Sequence, residues 1–343
     1  MHVVRPAQSS DVAALEALAA VTTPGVHTVP RTREKIAASV ARSIASFAAQ
    51  VDIPSEESYL FVLENQATGA IVGSAAIHAS AGSNGTYFSF RNDVIQQVSR
   101  DLNISHSVHA LTLCSELTGY SQLSGFHMRE RHGAAVEAAL LSRARLLFAV
   151  LAPQRFSERF FVPLAGMTDD AGHSPFWDAL GRKFFKMDFL EAERIIGGAR
   201  NRTLIVELMP HYPVYVPLLP GDAQAVMGQI HPDGELAFKL LTEEGFEADD
   251  YVDIFDGGPI LQAHKNALRT FASTVVRRVA DAKPGRGSAD HLRYAIAARN
   301  EQHFRAITLD CAPLENSDTV SLPATARDAL QVAAGDSVIC VRI

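Results

Sequence analysis

Gln122-Leu123-Ser124-Gly125-Phe126-His127-Met128-Arg129-Glu130-Arg131-His132-Gly133-Ala134-Ala135 is the stretch from which the fold can be read. Its first seven residues predict a strand. A basic turn with one glycine follows, and the apolar run from Ala134 to Leu151 predicts a long helix. A strand that feeds a helix directly aims the helix's unpaired N–H groups and positive dipole end at whatever lies beyond the strand. That suits a phosphate or pyrophosphate. Arg129, Arg131 and Gly133 are the candidate contacts in the turn, with Met128 at the strand end. The other reading of the turn is a solvated basic connection.

Upstream, His2–Arg5 predicts a short strand ended by Pro6. Ser9 or Ser10 can cap a helix with Asp11 in its first turn and Val12, Leu15, Leu18 and Ala19 at helical spacing. A second helix is expected over 33–49, with Ile36, Val40, Ile44 and Phe47 on one face. Strands follow at Tyr59–Glu64 and Ala70–Ala79, joined by a turn over 65–69, then at Thr86–Phe90 and Val108–Cys114. Two helices ahead of a mostly antiparallel sheet, then a helix straight after a central strand, define an α+β class with a mixed sheet.

Downstream, strands are expected at Arg159–Leu164, Thr203–Leu208 and Tyr251–Phe255, and helices at Pro175–Phe185, Asp222–Gln229 and Gly234–Glu244. The composition of 281–290 is that of a linker. Beyond it, strands at Phe304–Leu309 and Ser337–Ile343 flank a helix entered through Pro323, which predicts a small β-barrel-like tail that packs or pairs chains. The expected division is therefore 1–165, 166–280, a linker at 281–290, and a tail at 291–343.

The 343 residues are 47% hydrophobic and 20% charged, enough for a sizeable core. A net charge of −7 argues against nucleic acid as the main partner. Cys114, Cys311 and Cys340 have neither zinc nor redox spacing, so no metal is expected, and scattered thiols suit a reducing cytoplasm. The first residues have no signal-peptide pattern and no stretch is apolar enough to span a membrane, so a cytoplasmic protein is expected.

Three loops carry candidate chemistry. In Gly228-Gln229-Ile230-His231-Pro232, the proline disfavours the α conformation at His231 and so puts an imidazole, a general acid or base near neutral pH, on a loop. In Asp253-Ile254-Phe255-Asp256-Gly257-Gly258-Pro259, two carboxylates flank an apolar pair; they can hold a guanidinium or ammonium, or simply end a strand in an Asp-Gly turn. In Glu207-Leu208-Met209-Pro210-His211-Tyr212-Pro213, Glu207 or His211 lines a pocket, or the segment is a shaped loop at the end of a strand. Ser174-Pro175-Phe176-Trp177 reads as a capped helix start with the only tryptophan behind it.

These segments, in this order and spacing, resemble the arginine N-succinyltransferase family. Val4-Arg5-Pro6, Ser58-Tyr59, Leu117-Thr118-Gly119 and Glu244-Gly245-Phe246 extend the likeness over residues 1 to about 260. The runs Tyr87–Asn92 and Tyr212–Pro220 and the tail look most like the alpha subunits of two-subunit arginine/ornithine succinyltransferases. The resemblance implies a GNAT-like acyl-CoA N-acyltransferase fold and no permanently bound cofactor. It further implies succinyl-CoA as co-substrate, L-arginine or L-ornithine as acceptor, and a homologous beta subunit as partner. It also implies that His231 is the proton donor and that Phe126 contacts succinyl-CoA. The turn departs from the family pattern, because an arginine and both glycines of its CoA loop are replaced, and a Cβ at either glycine would crowd a pyrophosphate. A non-catalytic stabilising or regulatory subunit is therefore the alternative reading.

Overall fold

The computed structural model describes residues 1–21, 32–130, 133–196, 202–281 and 291–343. Arg131 and nearly all of the expected linker lie outside the described residues.

The chain opens with β1 (His2–Pro6), α1 (Val12–Ala19) and α2 (Arg33–Ala48). No serine caps α1: Ser9–Asp11 form a 3-10 turn ahead of it, closed by the Asp11 carboxylate, which accepts the Gln8 N–H at 2.8 Å while binding the Arg5 guanidinium at 2.7 Å. On α2 the buried stripe is Ile36, Val40, Ser43, Ser46 and Phe47. Ile44, expected inside, is exposed because one position further round the helix turns it away from β2. Then come β2 (Ser58–Asn65), β3 (Ile71–His78), β4 (Ser89–Ser99), β5 (Ile104–Cys114) and β6 (Ser121–Met128), followed by α3 (Ala135–Leu151) and β7 (Arg159–Pro163).

The expected single helix at Pro175–Phe185 is two short ones, α4 (Pro175–Ala179) and α5 (Gly181–Phe185), broken at Leu180. After α6 (Phe189–Ile196), the expected strand at Thr203–Leu208 is a helix, α7 (Arg202–Leu208). A short β8 (Val214–Tyr215), α8 (Gly221–Val226), α9 (Glu235–Glu244), β9 (Glu247–Val252), β10 (Pro259–His264) and α10 (Arg269–Ser273) complete this part. The tail holds β11 (Val275–Asp281), β12 (Leu292–Ala298), β13 (Ala306–Cys311), β14 (Thr319–Leu322), α11 (Ala324–Leu330) and β15 (Ser337–Arg342).

All fifteen described strands join in one mixed sheet, ordered β14-β11-β15-β12-β13-β1-β2-β3-β6-β7-β10-β9-β4-β5-β8. Every neighbouring pair is antiparallel except β6/β7 and β11/β14. β11 pairs with β14 and β15, so the tail unit begins before the expected linker. The tail is β-rich as expected, but among the described strands it is an open run hydrogen-bonded to β1 through β13 rather than a closed barrel.

α3 lies across the sheet and is buried on nearly all sides from Leu140 to Ala149. Its apolar residues pack with Phe47, Tyr59, Phe61, Phe160 and Phe304 into the main core. A second core forms around Trp177, which is fully buried and stacked on Phe255 at 5.4 Å. Arg155 ties the first lobe together. Its guanidinium donates to Tyr59 Oη (3.0 Å), to the carbonyls of Ser46 (3.2 Å) and Ala49 (2.9 Å), and to Glu301 of the tail (2.9 Å). It thereby satisfies carbonyls that the end of α2 leaves without helical partners.

Candidate active site

The one break in the antiparallel order near the middle of the sheet lies at the candidate site. β6 and β7 run parallel and pair only at their starts, Ser121 with Phe160 and Gln122 with Phe161. Beyond that, β7 follows its antiparallel partner β10 and leaves β6 with an open edge. On its other side β6 carries a bulge. Ser74 pairs with His127 and Ala76 with Ser124, so two residues, Gly125 and Phe126, oppose Ala75 alone. Gly125 has φ +59°, a backbone conformation that glycine adopts at least cost, and its carbonyl accepts the Ser74 hydroxyl at 3.1 Å. Bulges re-aim backbone and side chains, and this one lies on the arm of β6 that faces the opening. Ser124, Gly125 and Phe126 are only half-buried there.

The opposite arm is the continuation of β7, and here the two loop motifs converge. The His231 N–H donates to the Ala165 carbonyl (2.8 Å), the Gly228 N–H to the Gly257 carbonyl (2.8 Å), and the Leu164 N–H to the Pro259 carbonyl (3.0 Å). Asp256, 1% exposed, accepts the N–H groups of Gly166 and Gly258, both at 2.8 Å. Three backbone segments thus cross in contact. A Cβ on Gly258 would lie 2.2 Å from the Leu164 carbonyl oxygen, and one on Gly166 would lie 2.5 Å from the Asp256 carbonyl oxygen. Glycine is required because there is no room for anything else.

Register sets the level of His231. Gln122 is opposite Phe161, so Phe126 and Ala165 lie four residues further along their respective strands, roughly 13 Å at about 3.3 Å per residue. The backbone of His231, bonded to Ala165, and the bulge at Phe126 thus follow the same paired start of β6 and β7 by the same number of residues. His231 is buried, with its Nδ1 accepting the Asp233 N–H at 3.1 Å. That bond fixes the tautomer of the neutral ring, whose proton sits on Nε2.

The remaining expected residues are distributed unevenly. Arg129 and Gly133 are exposed at the end of β6 and just ahead of α3, beside an N-terminus with no side-chain cap. Met128 does not join them: its side chain is 4% exposed and belongs to the main core, because strand alternation points it towards α3. Asp253 accepts the Phe255 N–H at 2.7 Å, so both it and Asp256 are engaged in shaping the turn. Glu207 is exposed on α7. Sequence reasoning missed Arg145, whose guanidinium lies over the Phe126 ring at 5.6 Å and reaches the Ser124 carbonyl at 3.4 Å. Its signal was a pair of arginines, Arg143 and Arg145, inside an otherwise apolar helix. Among the described residues no cluster of metal-ligating side chains occurs, and no helix is long and apolar enough to cross a membrane.

Comparison with known proteins is consistent along the whole chain. A family model described as arginine N-succinyltransferase beta subunit matches residues 2–270, and one described as the C-terminal domain of that subunit matches residues 275–342. The arginine N-succinyltransferase subunit alpha of Pseudomonas aeruginosa is 44% identical, with 100% of both chains covered. The arginine N-succinyltransferase of Escherichia coli K12 is 34% identical, covering 100% of this chain and 98% of that one. The solved structure of arginine/ornithine succinyltransferase subunit AI from Pseudomonas aeruginosa matches with a TM-score of 0.89 at 42% identity, over 100% of this chain and 98% of that one. The chain belongs to the arginine N-succinyltransferase family.

Proposed function

We propose that the protein transfers the succinyl group of succinyl-CoA to the α-amine of L-arginine or L-ornithine, on a GNAT-like fold, as the alpha-type subunit of an assembly with a homologous beta subunit. The observation that supports this reading is the parting of parallel β6 and β7, with the bulge at Gly125 and Phe126 on one arm and the His231 backbone bonded to Ala165, just past the end of β7, on the other. A thioester lying between the strands has the bulged backbone of β6 on one side and an imidazole on the other. The uncapped start of α3, with Arg129 and Gly133 beside it, supports pyrophosphate at the mouth of the opening.

The chemistry then follows from positions. The deprotonated amine attacks the thioester carbon, helped by the proximity of two bound substrates. Backbone N–H groups freed by the bulge stabilise the oxyanion. The nitrogen that attacks becomes an ammonium in the tetrahedral intermediate, and as the C–S bond breaks its proton is lost and the thiolate gains one. The His231 ring, with Nδ1 occupied by the Asp233 N–H, assists by hydrogen-bonding the departing sulfur through Nε2–H while keeping that proton. Half-buried Asp253 and exposed Glu207 remain candidates for the acceptor's cationic groups, whereas buried Asp256 serves the crossing.

The test is a coupled thiol-release assay of the chain, alone and with its homologous subunit, using succinyl-CoA with arginine or ornithine. His231→Ala should lower kcat about 100- to 10,000-fold, the range for general acid–base groups. Full turnover by that variant rejects the role of His231. Absence of transfer to either amino acid, with or without the second subunit, rejects the function.

A further inference from the structure

Four arginines are buried among the described residues: Arg5, Arg143, Arg145 and Arg155. Three meet carboxylates. Arg5 binds Asp11 and Glu64, Arg143 binds Glu244 at 3.1 Å, and Arg155 binds Glu301 at 2.9 Å. Arg145, 1% exposed, meets none among the described residues. Its three described bonds all go to neutral acceptors: Nε to the Ser142 carbonyl (3.2 Å), Nη2 to Ser142 Oγ (3.0 Å), and Nη1 to the Ser124 carbonyl (3.4 Å). Burial alone pulls its guanidinium down to about 9, which still leaves a cation at neutral pH. An uncompensated buried charge is costly to keep, and its place in the fold suggests why it is retained. It touches Ser124, one residue before the bulge, and lies over the ring of Phe126, on the stretch of β6 that β7 leaves uncovered.

We infer that Arg145 receives the free carboxylate of a dicarboxylic acyl group, and so selects a succinyl donor over uncharged acyl thioesters. The inference rests on the acyl-transfer reading above and adds a specificity residue to it. A planar guanidinium matches a carboxylate in a charge-assisted pair, and the three described bonds leave two of its five N–H groups for one. The anion at Arg145 is not the donor's pyrophosphate. Arg145 lies ten residues into α3, about 15 Å along the axis from the helix start, so the two anions belong to opposite ends of one ligand. The half-buried Phe126 ring, with the guanidinium 5.6 Å from its centre, offers an apolar face along which the methylenes of the acyl chain can lie.

The acceptor amino acid also carries a carboxylate, so the test separates the two sources. The full-length protein and the variants Arg145→Met and Arg145→Lys are assayed with succinyl-CoA and with butyryl-CoA, which has the same chain length without the charge. They are also assayed with arginine and with argininamide. The succinyl/butyryl ratio of kcat/KM should fall about 10- to 100-fold in Arg145→Met and recover in part in Arg145→Lys, with the arginine/argininamide ratio unmoved. An unchanged donor ratio, or a shift confined to the acceptor ratio, overturns the assignment.

Folding gives an independent readout. Removing an unpaired buried charge should leave the melting temperature of the ligand-free protein unchanged or higher, whereas loss of a merely structural arginine lowers it. A melting temperature that falls, with both donors losing activity equally, overturns the inference. Free succinate should stabilise the wild type and not Arg145→Met. This arm holds even if no acyl-CoA is turned over, an outcome that would sink the proposed function while leaving the anion site standing.

Discussion

Gly258→Ala tests the backbone crossing that holds His231 in place. The new Cβ would lie 2.2 Å from the Leu164 carbonyl oxygen, 2.5 Å from the Gly166 nitrogen and 2.9 Å from Asp256 Oδ1. Two of these are backbone atoms, so relief requires the strands to separate by about 1 Å, towards ordinary contact. That movement breaks or stretches the Gly166–Asp256, Gly258–Asp256 and Leu164–Pro259 bonds, now 2.8, 2.8 and 3.0 Å. At about 1 kcal/mol for each such bond, more where a carboxylate accepts, the loss is roughly 3–5 kcal/mol. Unfolding entropy of about 2.1 cal/mol/K per residue over 343 residues comes to roughly 0.7 kcal/mol/K, so the melting temperature should drop by about 4–7 °C. Denaturant titration should show a lower midpoint with an unchanged m-value, and activity should fall as His231 shifts. Gly221→Ala is the control, since nothing lies within 4 Å of its Cβ position. A Gly258→Ala protein that melts within 1 °C of the wild type would refute the argument that space, rather than chain flexibility, dictates glycine there.

Glu244→Gln should cost about 3–5 kcal/mol, because Arg143 then keeps a buried charge without its partner; adding Arg143→Met should recover part of that loss in the same denaturation experiment. At the base of the β4–β5 hairpin, bonding to Arg91 and Thr112 holds Asp93 below its usual range, and bonding to Tyr251 and then Arg91 does the same for Glu116. Depressed carboxylates stabilise the fold above their unfolded values, about 4, and that stabilisation disappears as pH falls through the folded ones. The stability gap between wild type and Arg91→Ala, at most about 1 kcal/mol for such solvated groups, should therefore be full at pH 7 and close as the pH drops below about 4 in thermal melts. Burial pushes the Cys340 thiol up to about 12, so iodoacetamide at pH 8 should leave Cys340 unlabelled until the protein is unfolded, as peptide mass mapping would show.

Elements with a clear period were legible in the sequence, and those shaped by distant neighbours were not. α2, β2, β3, β6 and α3 stand where apolar spacing puts them. Most of β4, with Arg91, Asn92, Asp93, Gln96 and Gln97, reads as polar loop because much of the hairpin it forms with β5 stands in solvent. Thr203–Leu208 has the composition of a strand, yet its buried Ile205 and Met209 recur at helical spacing against the second core. β10 was hidden because it begins at a proline, which is tolerated at the first residue of a strand. The site divides in the same way. His231 was visible as a loop imidazole, but its link to Ala165 is a backbone hydrogen bond, which leaves no mark in residue identity. Met128 was misplaced because the turn after it looked functional while its own side chain follows the strand's alternation into the core.

The pairing of β1 has a consequence for how the molecule is made. Val4 faces Leu63 on one side and Ala306 on the other. Once synthesised, β1 therefore waits for a neighbour about 300 residues later, roughly 15–60 s of translation at 5–20 residues per second. Throughout that interval one border of the nascent sheet is an open template for stray pairing. Chaperone demand during synthesis should thus track the arrival of β13 rather than completion of the strands before it, and termination ahead of β13 should yield insoluble chains.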